Sequence, residues 1–230
     1  MSNRNKLQKF AELLTFSNVY ENVDMKQPRI EDAARNEIVL KGAWNEKHFK
    51  NNHPITLELA CGGGEYTLNL ARKYPERNFI GVDIKGARIW KGARVALAEG
   101  LENVAFLRTR IELIEHFFAP NEVSEIWITF PDPFLRNSKS NRRLTAPPFL
   151  DRYHRFLHAD GCIHLKTDSP ELYEFTVETT TQYEKIELLY KDDDIYSKPL
   201  PMEELIFKTY YENMHLSNGK TIKYVRMRYV

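Results

Sequence analysis

The sequence predicts an α/β fold, a mostly parallel sheet with helices on both faces, and three observations carry that prediction. Ile55 to Ala60 is a short apolar run followed at once by Cys61-Gly62-Gly63-Gly64 and then by a helical stretch, Glu65 to Tyr74. Strand, glycine loop and helix in that order open the nucleotide-binding sheets of the doubly wound class. Apolar runs then alternate with helical stretches along the chain, which builds a parallel sheet between helical layers. Asp83, Asp132 and Asp168 each stand at the carboxyl end of such a run, where open α/β sheets bind their ligands.

The 230 residues suffice for one sizeable domain, and 42% hydrophobic and 12% aromatic content are those of a globular chain. Residues 1–50 are expected as a helical or irregular segment packed on or flanking a single domain over 51–230. With 33 basic and 32 acidic residues the net charge is +1, so any nucleic-acid footprint is local. Cys61 and Cys162 form no CxxC pair, which argues against a disulfide framework or a zinc site. No apolar run reaches membrane-spanning length and no signal-peptide pattern is present. The expectation is a soluble, cytoplasmic protein without metal or membrane, a monomer or homodimer.

In chain order, Asn5 to Leu14 places Leu7, Phe10, Ala11 and Leu14 on one helical face. Val19 to Glu37 is polar and reads as irregular. Ile55 to Ala60 is the first core strand. Asn78 to Val82 is the second and ends in Asp83, which lies 83 − 64 = 19 residues past the last loop glycine, where a ribose-binding acid belongs. Gly86 to Glu99 is a helix carrying Arg88, Lys91 and Arg94. Val104 to Leu107 is a strand, Ile111 to Phe118 a helix and Ser124 to Phe130 a strand. Pro147 to Leu157 is a helix with Pro at its start. Gly161 to Thr167 is a strand, Ser169 to Gln182 a helix and Lys185 to Tyr190 a strand. Lys191 to Pro201 is expected as a mobile loop, and Ile222 to Val230 alternates as a final strand.

The stretch Thr129 to Leu144, TFPDPFLRNSKSNRRL, is the part that points to chemistry. Pro131 and Pro133 flank Asp132, fix φ and remove donors. A residue before Pro is pushed toward extended geometry, here Phe130 and Asp132. A carboxylate is thus held in a stiff corner beside Arg136, Lys139, Arg142 and Arg143, which suit phosphates. A solvated charge run after a strand-ending turn is the bland alternative.

The glycine loop discriminates between ligands. A dinucleotide fingerprint needs glycine at 62, 64 and 67, and position 67 is Thr67. Glu58 and Glu65 would confront a pyrophosphate. S-adenosylmethionine carries no phosphate but a sulfonium and an amino group, so the local charge favours it.

At this point the chain resembles the bacterial tRNA guanine-N7 methyltransferases. The resemblance runs from about Lys41 to Val230 and rests on KGAWNE, PITLELACGGGEYTLNLA, the GVDI containing Asp83, FPDPFLRNSKSNRRL, HLKTD ending at Asp168, and TYYE from Thr209 to Glu212. It implies a Rossmann-like class I methyltransferase whose sheet is seven-stranded with an antiparallel last strand. It implies that Glu58, Gly62, Gly64, Asp83, Arg110 and Asp132 line the S-adenosylmethionine side. Arg136, Asp168, Thr209, Tyr210, Tyr211 and Glu212 would meet the substrate, and Ser138, Lys139, Ser140, Asn141, Arg142 and Arg143 would touch RNA. The chain departs from the family at Arg110, where Asp or Asn is usual; its side chain cannot accept a hydrogen bond, and Glu112 is the available substitute. Arg136 replaces the usual Lys, and Phe134 an aromatic that is often Trp.

The implied reaction is methylation of guanine N7 in the tRNA variable loop. N7 bears a lone pair and no proton, so the reaction needs alignment and nearby carboxylate more than a base. Asp132 is assigned to positioning and charge stabilisation. Asp168 and Glu212 are assigned to the guanine N1–H and N2–H₂ donors, assisted by Thr209. The competing roles are helix capping, for which Asp168 before Ser169 and Pro170 is suited. Three other functions remain open: an exocyclic amino-methyltransferase, a nicotinamide oxidoreductase and a non-catalytic RNA-binding subunit.

Overall fold

Strands pair in this protein wherever apolar runs are continuous, because both faces of a parallel sheet are covered. The structure, a computed structural model, describes residues 6–22 and 24–230. Asn5, the first residue of the expected N-terminal helix, lies outside them. Helix α1 (Lys6–Leu13) rests on the core through Glu12, whose carboxylate accepts from the Trp90 indole at 2.8 Å. Three short strands follow, β1 (Val19–Asn22), β2 (Ile30–Glu31) and β3 (Glu37–Ile38). The core then runs β4 (Ile55–Leu59), α2 (Glu65–Lys73), β5 (Asn78–Asp83), α3 (Gly86–Glu99) and β6 (Val104–Arg108). It continues with β7 (Val123–Thr129), α4 (Pro147–Tyr153), β8 (Leu157–Thr167), α5 (Pro170–Gln182), β9 (Ile186–Asp192), α6 (Tyr210–Ser217) and β10 (Lys223–Tyr229).

Among the described residues, ten strands form one sheet in the order β3-β2-β1-β6-β5-β4-β7-β8-β10-β9. The seven from β4 onward are the expected core, parallel from β6 through to β8, with β10 running antiparallel between β8 and β9. The chain moves outward from β4 through β5 to β6, then returns to β7 on the other side of β4. The β4–β7 junction is therefore a topological switch point, and ligands bind beyond it.

Three expectations about local structure are corrected. The segment expected as irregular extends the sheet: β1 pairs parallel to β6, and β2 and β3 add antiparallel to it. Val19 and Tyr20 are buried there, and the Tyr20 hydroxyl meets His48 Nδ1 at 2.9 Å. Strands of two to four residues are too short to show a period. The segment after β9 is anchored: Ile195 is fully buried, its N–H donates to Ile222 O at 2.9 Å, and Lys198 pairs with Asp192 at 2.8 Å. Residues 111–116 form a 3₁₀ turn in place of the expected α-helix.

Apolar layers cover both faces of the sheet. One holds Trp44, Phe118, Tyr153 and Phe156 over β4, β7 and β8; the other holds Tyr66, Trp90 and Trp127 with Phe106 and Tyr224. Each large side chain removed from water contributes about 1.5–3 kcal/mol, which makes the sheet a rigid base for the loops above it.

Candidate active site

The site begins where β4 ends. Ala60 (φ 59°), Gly62 (φ 57°) and Gly64 (φ 68°) all take left-handed backbone. At Gly64 an added Cβ would stand 2.6 Å from the Phe106 ring, so the loop folds tightly onto the sheet only with glycine there. Glu58, deeper in β4, does not line the open cleft. Its Oε2 accepts from the Thr67 N–H at 2.9 Å and the Thr67 hydroxyl at 2.5 Å. Its Oε1 accepts from the Thr129 hydroxyl at 2.6 Å. Thr67, the residue that breaks the dinucleotide fingerprint, thus ties α2 to β4. Cys61 and Cys162 are free thiols, and burial raises the Cys61 thiol well above its usual range.

Asp83 ends β5. Its Oδ2 accepts from the Gly62 N–H at 2.9 Å and its Oδ1 from the Lys85 N–H at 2.7 Å. The acid therefore binds the glycine loop to the start of α3 while its carboxylate faces a cleft of about 470 Å³. Asp83, Arg88, Arg110, Glu112, Asp132 and Phe134 are among the residues that line it. Arg110 and Glu112 are ion-paired at 3.1 Å, so the position that departs from the family pattern brings its own acid to this wall. A volume of this size suits a small cofactor. The three carboxylates, a ribose-height acid and the absence of a phosphate-binding third glycine fit S-adenosylmethionine.

The corner after β7 departs from the expected geometry. Phe130 precedes Pro131 yet has φ 49°, and Phe134 has φ 42°. Left-handed backbone at such residues costs about 1–3 kcal/mol each and persists only where the surroundings impose it. The Phe130 N–H donates to Lys166 O at 2.8 Å, its ring stacks on His215 at 5.9 Å, and the Phe134 N–H donates to Asp132 Oδ1 at 3.1 Å. Arg143 is corrected from an RNA contact to part of this corner. It is 5% exposed, its guanidinium donates to Pro133 O and Phe134 O at 3.0 and 3.2 Å, and it lies over Phe175 at 4.4 Å. Ser138, Lys139, Ser140, Asn141 and Arg142 lie on a 3₁₀ turn over Asn137–Arg142 that buries none of its residues. Arg136 is exposed at its start and lines neither cleft.

A second cleft of about 910 Å³ adjoins the first, lined by Asp132, Leu135, Asp168, Tyr211, Met214 and His215 among others. Asp132 lines both clefts. Asp168 Oδ2 is paired with Lys220 at 2.6 Å and His215 at 3.3 Å. The cap of α5 is Ser169, not Asp168; its hydroxyl accepts from the Leu172 N–H. Thr209 and Glu212 form a capping box on α6. Glu212 is corrected: its carboxylate is fully buried against Lys166 at 2.8 Å and cannot reach a base in the cleft. Of the TYYE run, Tyr211 lines the cleft, and Tyr210, 67% exposed, is held by its N–H to Glu65 Oε2 at 2.7 Å. Met214, His215 and Lys220 in this wall were missed. Thr209-x-x-Glu212 is itself a capping-box signature that announces α6.

A family profile described as "Putative methyltransferase" matches residues 52–225. A Christiangramia forsetii protein named tRNA (guanine-N(7)-)-methyltransferase is 52% identical over 229 residues, covering 99% of both chains. This chain belongs to the tRNA (guanine-N7-)-methyltransferase family. Family members from Bacteroides thetaiotaomicron (44% identical; 98% of this chain, 86% of that protein) and Brevibacillus brevis (32%; 81% and 86%) carry the same name. Among solved structures, the 16S rRNA methyltransferase KamB superposes with a TM-score of 0.59 at 14% identity (85% of this chain, 96% of that one). A SAM-dependent methyltransferase from Aquifex aeolicus gives 0.54 at 14% (77% and 82%). These likenesses show the class I fold.

In this tRNA (guanine-N7-)-methyltransferase, burial pushes the Glu58 carboxyl up from 4.5 to about 7, against hydrogen bonds from Thr129 and Thr67 that pull it down. The folded state then binds the proton more tightly than the unfolded chain. Glu58's contribution to stability is full below about pH 4.5 and is lost as pH rises through about 7. The stability of wild type minus Glu58→Gln should fall by on the order of 3 kcal/mol across that window in urea titrations. A pH-independent difference would show that Glu58 titrates like a surface acid.

Proposed function

We propose that this enzyme transfers the methyl group of S-adenosylmethionine to N7 of a guanine in the variable loop of tRNA. The observation that carries the reading is Asp132, the acid shared by a cofactor-sized cleft and a larger cleft beside it. Asp83 is the residue to hold ribose hydroxyls, and Glu112 the acceptor near the adenine. The cofactor supplies a methyl group on a sulfonium, an electrophile that needs only alignment with a lone pair.

The protein's part follows from charge. No residue has to remove a proton, because N7 carries none. Positive charge moves to the purine as the methyl leaves sulfur, and a carboxylate fixed next to it stabilises that change. Asp132 is fixed by two prolines, by the Phe134 N–H and, through Arg143, by the carbonyls of Pro133 and Phe134. Asp168 Oδ1, which carries neither of the ion pairs held on Oδ2, faces the N1–H and N2–H₂ edge. A base reaches this depth only from a loop or after leaving its stack. A tRNA substrate places the reaction in the cytoplasm, and among the described residues no helix is long and apolar enough to cross a membrane.

Incubation of unmodified tRNA with methyl-labelled S-adenosylmethionine, followed by nucleoside analysis, tests the reading. Label in 7-methylguanosine supports it. Label on an exocyclic nitrogen would replace it with the amino-methyltransferase, and tRNA binding without transfer with the non-catalytic subunit.

Lys139 and Arg142 are exposed on the turn beside Asp132, and phosphate contacts release counterions. With both changed to Ala, tRNA affinity should fall and the slope of log K against log salt should flatten by about 1.4, at about 0.7 for each neutralised phosphate. Lys139→Ala alone should leave S-adenosylmethionine affinity unchanged, because Lys139 does not line the first cleft, whereas Arg142 does and lies over Phe134 at 4.8 Å. An unchanged slope would make the turn a solvated charge run.

A further inference from the structure

A lysine sits inside this protein where a lysine is costly. Lys166, on β8, has no solvent exposure. A buried ammonium is tolerated only when paired and fully hydrogen-bonded, and Lys166 meets that condition. Its three protons have three acceptors: Glu212 Oε1 at 2.8 Å, Leu205 O at 3.2 Å and Phe207 O at 3.1 Å. Glu212 is also fully buried. Its Oε1 takes a further hydrogen bond from the Tyr196 hydroxyl at 2.5 Å, and its Oε2 one from the Thr209 N–H at 3.4 Å.

One of these partners lies on the helix that walls the second cleft: Glu212 belongs to α6. Leu205 and Phe207 belong to a 3₁₀ turn over Glu203–Ile206 and its end, just before α6, and Tyr196 to the segment after β9. The same helix carries Tyr211, Met214 and His215 into the cleft, and His215 grips Asp168. Lys166 also holds the opposite side: its backbone carbonyl accepts the Phe130 N–H at the strained turn into Asp132. One residue therefore contacts the reacting corner through its backbone and the α6 wall through its side chain. An apolar pair of similar volume would serve stability as well. It would not supply the directed bonds that tie Glu212 of α6 and the carbonyls of the turn before it to β8.

We propose that Lys166 is a positioning residue for methyl transfer, its ammonium setting the α6 wall of the second cleft in register with the Asp132 corner. Resting on the function proposed above, this accounts for the TYYE run without placing Glu212 on the base. Glu212 acts through Lys166, and the base meets what α6 presents.

The test is Lys166→Met in the full chain, assayed with tRNA and S-adenosylmethionine. Calorimetric stoichiometry for S-adenosylmethionine counts the molecules that retain the fold, and kcat is expressed per such molecule. Because displacement of a reactant by about 1 Å can cost about 100-fold, kcat should fall by about 30-fold or more. KM for tRNA should stay within about threefold, since the phosphate contacts lie on another element. A second variant separates positioning from loss of fold. Lys166→Met alone leaves Glu212 buried with the Tyr196 hydroxyl and the Thr209 N–H but without its cation. Lys166→Met/Glu212→Gln removes both charges together, supplies a neutral pair should the single variant fail to fold, and should keep the loss in kcat with KM for tRNA within about threefold. A kcat per binding molecule within about threefold of wild type in either variant, or a rise in KM for tRNA that accounts for the whole loss in kcat/KM, would overturn the proposal. Wild type that leaves tRNA unmethylated would overturn the function and not this assignment.

Discussion

Asp132→Asn should lower kcat for tRNA methylation by about 10²–10³-fold, the range expected when a fixed electrostatic group is removed from a transition state. The substitution keeps the shape and an oxygen able to accept the Phe134 N–H, which now lies 3.1 Å from Asp132 Oδ1. The corner should hold, because Pro131, Pro133 and the Arg143 bonds to Pro133 O and Phe134 O do not involve the carboxylate charge. What is lost is the negative charge at the junction of the two clefts. Binding of tRNA should stay within a few-fold, since phosphates are met elsewhere. Single-turnover methylation measured beside tRNA binding by filter retention separates the two. Turnover within a few-fold of wild type would reduce Asp132 to a turn residue.

The parts of this fold legible in the sequence are those whose cause is local. β4, the glycine loop and α2 follow from an apolar run and three adjacent glycines, and Asp83 lies where the spacing from Gly64 puts it. The acids Asp83, Asp132 and Asp168 were all found at strand ends and all line a cleft, because the carboxyl edge of a parallel sheet is set by chain direction alone. Residues whose role depends on a distant partner were misread. Glu212 looks like a substrate acid until Lys166 is seen against it, 212 − 166 = 46 residues away. Arg143 looks like its neighbour Arg142, yet one side chain is buried against the Pro133 carbonyl and the other stays exposed at the edge of the first cleft, over Phe134. Phe130 is forced into left-handed backbone against the preference of a residue before proline, by a bond to Lys166 O that no local rule contains. The edge strands β1, β2 and β3 were hidden for another reason: two to four residues carry no period, and β1 pairs with β6 across 106 − 19 = 87 residues of chain.

Asp83→Ala should weaken S-adenosylmethionine binding by about 1.5–3 kcal/mol, the worth of hydrogen bonds to a charged group. Two losses combine. One is the carboxylate facing the cofactor cleft. The other is the clamp between the Gly62 and Lys85 N–H groups at 2.9 and 2.7 Å, which ties the glycine loop to the start of α3. Asp83→Asn distinguishes them. Its amide oxygen can replace one of the two accepting oxygens, so the loop should be partly restrained while the charge is gone. If ribose hydroxyls donate to Asp83, the Asn variant should lie between wild type and Ala in affinity, and Lys139→Ala, at a residue outside the cleft, should not move it at all. The effect is specific to the cofactor, because β5 is buried along its whole length and its strand pairing involves backbone. Calorimetric titration of each variant, with the fold checked by circular dichroism, measures the loss directly. A folded Asp83→Ala protein that binds S-adenosylmethionine as tightly as wild type would leave the acid as a loop clamp only and move the ribose contact elsewhere in the cleft.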